Sequence, residues 1–195
     1  MKRLIIGVDC DDVLVDCTYY IVKKYNELYS TNVHVENAHA SDIAEWGIDD
    51  RAEIHRRIDA IQLSDEYAKL IPSDTVVAIV HQLAKQHELH LITARSEAIM
   101  DVTNRMLDSY FPGCFTTVEH VGRVRSKGDV CQSINADVLI DDHARHMHDA
   151  HEKGVQYLLW FGRYEWQDDQ IVPDSAVRCG DWLDVHKEID RIARK

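Results

Sequence analysis

The sequence predicts an α/β protein built on a parallel sheet, with a small helical insertion after the first strand. Three observations carry this. Short apolar runs recur at residues 4–8, 89–92, 138–140 and 156–161, each long enough for a buried strand. Segments with helical periodicity separate them, so neighbouring strands are joined by right-handed crossovers. Three of the runs stop at polar residues: Asp9 and Asp11, Thr93, and Asp141 with Asp142. Parallel strands bring these endings to one edge of the sheet, where open α/β sheets bind ligands.

The first strand lies in Leu4-Ile5-Ile6-Gly7-Val8 and leads into Asp9-Cys10-Asp11-Asp12-Val13. Burying charge in an apolar strand is costly, so the acids are expected just beyond its carboxyl end. Side chains alternate in extended chain, so Asp9 and Asp11 share a side and Cys10 points the other way, into the sheet. An amphipathic helix follows over residues 20–29, with Ile21, Tyr25 and Leu28 on one face. Residues 31–50 are polar, with Trp46 beside Gly47. A second helix, capped by Asp49 or Asp50, carries Ile54, Ile58 and Ile61. Ser64 opens a short third helix through Leu70, and Ile71-Pro72 interrupts. Residues 17–72 thus form a helical insertion, with residues 1–16 and 73–195 as the core.

The alternation then resumes. Asp74 caps a helix bearing Val76, Val80 and Leu83. The second strand ends at Thr93-Ala94-Arg95, and Ser96 opens a helix stopped by Phe111-Pro112-Gly113. A short strand over 117–121, a helix from Lys127 to Ile134, and the strand Val138-Leu139-Ile140 come next. A helix over 144–153 closes at Gly154. After the strand at 156–161, the tail carries Trp182 and a final helix.

Composition bounds the function. The 195 residues are 45% hydrophobic and 29% charged, which suits one globular domain with a real core. The formal net charge of −12 argues against long nucleic acid and anionic membrane as partners. No apolar stretch approaches the roughly 20 residues needed to span a bilayer, and none reads as a secretory signal. Five cysteines without framework spacing point to reduced, buried thiols and a cytoplasmic location. Nothing in the pattern sets an oligomeric state.

The chemistry follows from the strand ends. Two acidic endings make a hard, oxygen-rich site suited to Mg2+. A strand-end hydroxyl with free backbone N–H groups can hold phosphate oxygens, and Lys127 can add a point charge. One carboxylate can attack phosphorus, and a second can protonate the leaving oxygen and then activate water.

With these residues in that order, the chain resembles the phosphatases of the haloacid dehalogenase (HAD) superfamily. The motifs are Asp9-Cys10-Asp11-Asp12-Val13, then Leu91-Ile92-Thr93, then Lys127, then Val138-Leu139-Ile140-Asp141-Asp142. Within that superfamily the layout is most similar to the cytosolic and mitochondrial 5′(3′)-deoxyribonucleotidases. The likeness lies in the length of the insertion, the short spacing from Lys127 to Asp141, and the tail with Asp181-Trp182. The resemblance implies a three-layer α/β/α Rossmann-like core with the insertion as cap, and Mg2+ as cofactor. It implies that Asp9 is nucleophile and metal ligand. Asp11 would be general acid/base, lending its backbone carbonyl to the metal. Thr93 and Ala94 would bind phosphate, Lys127 would steady nucleophile and phosphate, and Asp141 or Asp142 would complete the metal site. A small phosphorylated substrate, first a (deoxy)nucleoside monophosphate, is the expected partner.

The chain departs from the pattern in places. Asp12 stands where glycine is usual, Ala94-Arg95 follow Thr93, and the insertion lacks a cluster of base-stacking aromatics. Arg95 either binds substrate phosphate or forms a structural ion pair. Trp46 either stacks on substrate or anchors the insertion's own core. Tyr19 either faces substrate or packs between helices. His143, His146, His148 and His151 read as a partly solvated helix face. Rival readings are a non-nucleotide phosphatase, a dehalogenase, which needs no acid at position 11, a polynucleotide 3′-phosphatase, which the acidic charge disfavours, and a noncatalytic metal- or phosphate-binding module.

Overall fold

The computed structural model describes residues 2–40, 43–121 and 125–195. Six parallel strands form one sheet in the order β3-β2-β1-β4-β5-β6. They are β1 (Ile5–Val8), β2 (Glu88–Thr93), β3 (Phe115–His120), β4 (Val138–Asp141), β5 (Tyr157–Phe161) and β6 (Ala176–Cys179). Seven α-helices accompany them among the described residues: α1 (Thr18–Tyr29), α2 (Arg51–Gln62), α3 (Asp74–Ala84), α4 (Met100–Tyr110), α5 (Lys127–Ser133), α6 (Ala144–Glu152) and α7 (Trp182–Ala193).

Strand β1 lies between β2 and β4, pairing Val8 with Leu91 and with Ile140. This register aligns the ends of the three strands that carry polar residues. Alternate strand residues face opposite layers. Ile6, Val8, Leu91 and Ile140 join Val80 and Leu83 of α3 and Val185 and Ile189 of α7 in the larger core. Ile92, Leu139 and Leu158 face Val130 of α5 and Met147 of α6. The sheet is therefore covered on both sides, which is why its central strands read as continuous apolar runs.

Between β1 and α3 the chain makes no named strand among the described residues. It builds a separate apolar cluster from Ile21, Val22, Tyr25, Trp46, Ile54, Ile61 and Tyr67. Two expectations for this segment change, and the choice between Asp49 and Asp50 as cap is settled. Residues 64–70 hold only a 3₁₀ turn, Tyr67–Lys69, because Ile71-Pro72 leaves no room for a longer helix. Helix α1 starts earlier, at Thr18, and Leu28 turns its side chain to solvent. Asp50, not Asp49, caps α2, accepting from the N–H groups of Ala52 and Glu53.

The core brings smaller corrections. Ser73 rather than Asp74 caps α3, its hydroxyl accepting from the Val76 N–H. The helix assigned to Ser96 begins as a 3₁₀ turn, Glu97–Ile99, and becomes α-helical at Met100. Strand β6 was not expected, since Ala176-Val177-Arg178-Cys179 is short and only partly apolar. All five cysteines are free and buried, and no helix among the described residues is long and apolar enough to cross a membrane.

Candidate active site

Beyond β1 the backbone folds back on itself. The N–H groups of Leu14 and Val15 both donate to the Cys10 carbonyl, and that of Asp12 donates to the Val15 carbonyl. This tight turn keeps Asp9 and Asp11 on the open side and sends Cys10 into the larger core. Its sharpest point is Asp12, whose φ of 55° lies in the left-handed region. Glycine is the usual solution there, and aspartate is one of the few tolerated alternatives. Here the side chain earns its place at the start of α1. One carboxylate oxygen accepts from the Cys17 and Thr18 N–H groups at 2.8 and 3.1 Å, and the other accepts from the Thr18 hydroxyl. Burial pushes the Asp12 carboxyl up to about 6 against these hydrogen bonds.

Lys127 opens α5, whose N-terminus is set by a capping box of Ser126 and Asp129. Asp149 of α6 fixes this corner. It accepts from the Gly128 N–H at 2.6 Å and from the Ser126 hydroxyl at 3.0 Å. A Cβ at position 128 would lie 2.7 Å from Asp149, so only glycine lets the two helices meet. The corner aims Lys127 into the sheet edge, where its ammonium lies 2.7 Å from an oxygen of Asp9 and 2.7 Å from an oxygen of Asp141. All three side chains are buried. Such a charge is tolerable only when paired. Burial pulls the lysine pKa down, but Asp141 and Asp9 outweigh it and hold it above its ordinary range. Burial drives Asp9 upward; Lys127 opposes this, and Asp141 and Asp11 add to it.

Asp142 completes the acidic edge. Its carbonyl accepts from the Trp160 indole at 2.9 Å and from the Gln167 amide at 2.6 Å. Burial, then the charges of Asp141 and Asp9, push its carboxyl well above the carboxylate range. Oxygens of Asp9, Asp141 and Asp142 lie within 4.8 Å of one another. Three buried carboxylates against one lysine leave an excess of negative charge on oxygen donors, which fits a hard divalent cation. Asp142 also lies near Asp12 and His39, but the oxygens of Asp12 are committed to α1.

Asp11 has different neighbours. The Arg95 guanidinium approaches it at 2.7 Å, and the Tyr67 hydroxyl lies 3.3 Å away. Burial alone would raise the Asp11 carboxyl, but Arg95 holds it below the usual range. Thr93, fully buried, accepts from the Arg95 N–H at 3.2 Å, and Ala94 is exposed just past the strand.

Asp9, Asp11, Thr93, Lys127, Asp141 and Asp142 therefore meet at one sheet edge, with Arg95 bound to Asp11. Two other candidates lie elsewhere. Trp46 is buried in the insertion's cluster, edge-on to Tyr25 at 4.7 Å. Tyr19 is half exposed; its hydroxyl donates to Glu165 and its ring tilts toward Trp166. His143 and His146 stack edge-to-face at the start of α6, and the His148 ring contacts the Ile171 carbonyl. Residues not singled out from sequence complete the surroundings: Tyr67, Cys17, Asp149, Trp166 and Gln167.

Comparison with known proteins follows the same lines. Residues 3–193 match the family described as 5′ nucleotidase, deoxy (Pyrimidine), cytosolic type C protein. No curated protein matches the chain. Solved structures share the fold. A haloacid dehalogenase-like family hydrolase from Streptococcus pneumoniae superposes with a TM-score of 0.70 at 12% identity, covering 96% of this chain and 98% of its own. A hydrolase from Pseudomonas syringae gives 0.67 at 16%, covering 99% and 100%. A HAD-hydrolase from Bacillus subtilis, bound to magnesium, gives 0.63 at 14% and covers 100% of both chains.

Proposed function

Because the chain belongs to the cytosolic type C 5′-nucleotidase family and is a phosphatase of that kind, we propose that it is a Mg2+-dependent phosphomonoester hydrolase acting on a (deoxy)nucleoside monophosphate. The observation that carries this reading is the Lys127 ammonium between Asp9 and Asp141, with Asp142 in reach and Asp11 two residues on. Asp9, Asp141 and Asp142 are the residues that would hold the cation, together with the Asp11 backbone carbonyl. When bound, the cation supplies charge neutralisation for the phosphate and the surrounding carboxylates.

The chain's own residues divide the rest. Thr93, the exposed turn at Ala94 and Lys127 bind and orient the phosphate. The negative charge of the bound phosphate offsets Arg95 and lets Asp11 carry a proton; an oxygen of Asp9 then attacks phosphorus, and the bond to the substrate oxygen breaks as Asp11 donates it that proton. Asp11, now a carboxylate, takes a proton from water, whose oxygen attacks phosphorus. The bond to Asp9 breaks, inorganic phosphate leaves, and both carboxyls are restored. Residues 17–72 act as the cap over this edge, and the five buried free thiols support a cytoplasmic setting.

The test is phosphate release by purified protein from p-nitrophenyl phosphate and a panel of nucleoside monophosphates, with Mg2+ and with EDTA. Release in Mg2+ and its loss in EDTA are expected. Absence of metal-dependent release from every substrate would sink the reading.

A further inference from the structure

We propose that Arg95 and Tyr67 are positioning residues for Asp11, and that through Tyr67 the helical insertion sets the orientation of the acid/base. The inference rests on the role given to Asp11 above. The Arg95 side chain is 2% exposed, and its N–H groups are almost fully committed. Nε lies 3.0 and 3.1 Å from the two Asp11 oxygens, and Nη2 lies 2.7 Å from one of them. On the far side, Nη1 donates to the Thr103 hydroxyl of α4 at 3.1 Å, and Thr103 in turn donates to the Ile99 carbonyl. A guanidinium presents five N–H donors in a fixed fork. Held at both ends, this fork fixes the carboxylate it faces and has little left for a phosphate.

Tyr67 closes the arrangement from the insertion. Its hydroxyl accepts from Arg95 Nη2 at 2.8 Å and from the Gln62 amide at 3.3 Å, and donates to Asp11 at 3.3 Å. Gln62 ends α2 and Tyr67 lies in the 3₁₀ turn that follows. The Asp11 carboxylate is thus held by Arg95 beyond β2 and by two residues of the insertion, Tyr67 and Cys17, whose thiol donates to it at 3.1 Å, whereas Asp9 is held by core residues. A shift of the insertion would move Tyr67, loosen the fork and misalign Asp11.

The test compares wild type with Arg95→Met, Arg95→Lys and Tyr67→Phe on two substrates. A nucleoside monophosphate leaves as a poor alkoxide and needs a well-placed acid; p-nitrophenyl phosphate leaves as a stable phenolate and needs little help. For the nucleotide, kcat is expected to fall by about 100-fold in Arg95→Met, misplacement of a catalytic group by about 1 Å having that scale. Arg95→Lys should recover part of this, and Tyr67→Phe should show a smaller fall. KM should stay within about threefold, and kcat/KM for p-nitrophenyl phosphate, which ends at leaving-group release and so omits the water attack that Asp11 also serves, should change far less than kcat/KM for the nucleotide. Tyr67→Phe removes one oxygen and keeps the ring, so it decides the matter if the Arg95 variants do not fold. Equal losses of kcat/KM on both substrates would overturn the proposal, as would a raised KM with kcat intact, which would make Arg95 a phosphate ligand. Wild-type protein inactive on both would instead remove the phosphatase mechanism on which the proposal stands.

Discussion

The sheet edge and the helical insertion hold their polar side chains by opposite means. At the edge, Lys127 is locked between two buried carboxylates and aimed by a helix corner that admits only glycine. In the insertion an aromatic cluster does the holding. Trp46 meets Tyr25 edge-on, Tyr25 leans on Tyr29 at 4.7 Å, and the Tyr20 ring meets Tyr67 at 6.0 Å. Charge pairs of the first kind are sensitive to any missing partner, because the survivor stays buried. Apolar packing of the second kind loses stability in proportion to the volume removed. The two regions should therefore fail differently: chemistry collapses at the edge, while in the insertion, Tyr67 apart, stability erodes.

The sharpest contrast comes from Asp9→Asn. It keeps the shape and removes the nucleophile, so turnover should drop by more than about 10⁴-fold, the scale of losing a covalent catalyst. Steady-state phosphate release measures it, and surviving activity would place the nucleophile elsewhere. Lys127→Met strips the cation from Asp9 and Asp141. In EDTA it should cost about 3–5 kcal/mol of folding stability, as breaking a buried pair does; a urea titration that matches wild type would break the account of the edge. Trp46→Ala should cost about 3–5 kcal/mol by the same titration, from the cavity it opens, while kcat changes by less than about threefold because Trp46 lies in the insertion's own cluster. A Trp46 variant that folds well but loses turnover would erase the distinction between the two regions.

A control lies at the opposite end of the sheet. His87 is buried there, and its Nδ1 accepts from the Leu4 N–H. Burial holds its pKa below the ordinary value, against the pull of Asp190. An unfolded histidine takes its proton near 6.5. Below that pH the unfolded chain binds a proton that the folded chain refuses, so this contribution is intact at neutral pH and lost as pH falls. The loss is at most about 1.4 kcal/mol per pH unit. Denaturation at pH 7 and pH 5 should show a shallower pH dependence in His87→Gln; identical slopes would mean that the ring is not the acid-sensitive group.

The same contrast explains what could be read from the sequence. Apolar runs marked β1, β2, β4 and β5, and the first three of these stop abruptly at polar residues, acids in β1 and β4 and a threonine in β2. Asp9, Asp11, Thr93, Asp141 and Asp142 stood out for that reason, and Lys127 through its place in the motif order. Strand β6 did not, since Ala176 to Cys179 is short and carries Arg178, which lies over the Trp160 ring at 3.8 Å. Tyr67 and Gln62 were invisible as neighbours of Asp11. They sit where helical periodicity stops, and their meeting with Arg95 depends on how the insertion packs. Asp12 was legible as an anomaly but not as a solution; its role needed the backbone angle and the position of Thr18.

The turn after β1 has one more set of partners. The Tyr164 hydroxyl donates to the Asp12 carbonyl at 2.6 Å, and the Trp182 indole donates to the Val13 carbonyl at 2.8 Å. The loop bearing Asp11 leaves the ribosome before either of its tethers. During synthesis the nascent chain carries every carboxylate of the edge long before Trp182 emerges. Completion of the turn therefore waits for the arrival of α7.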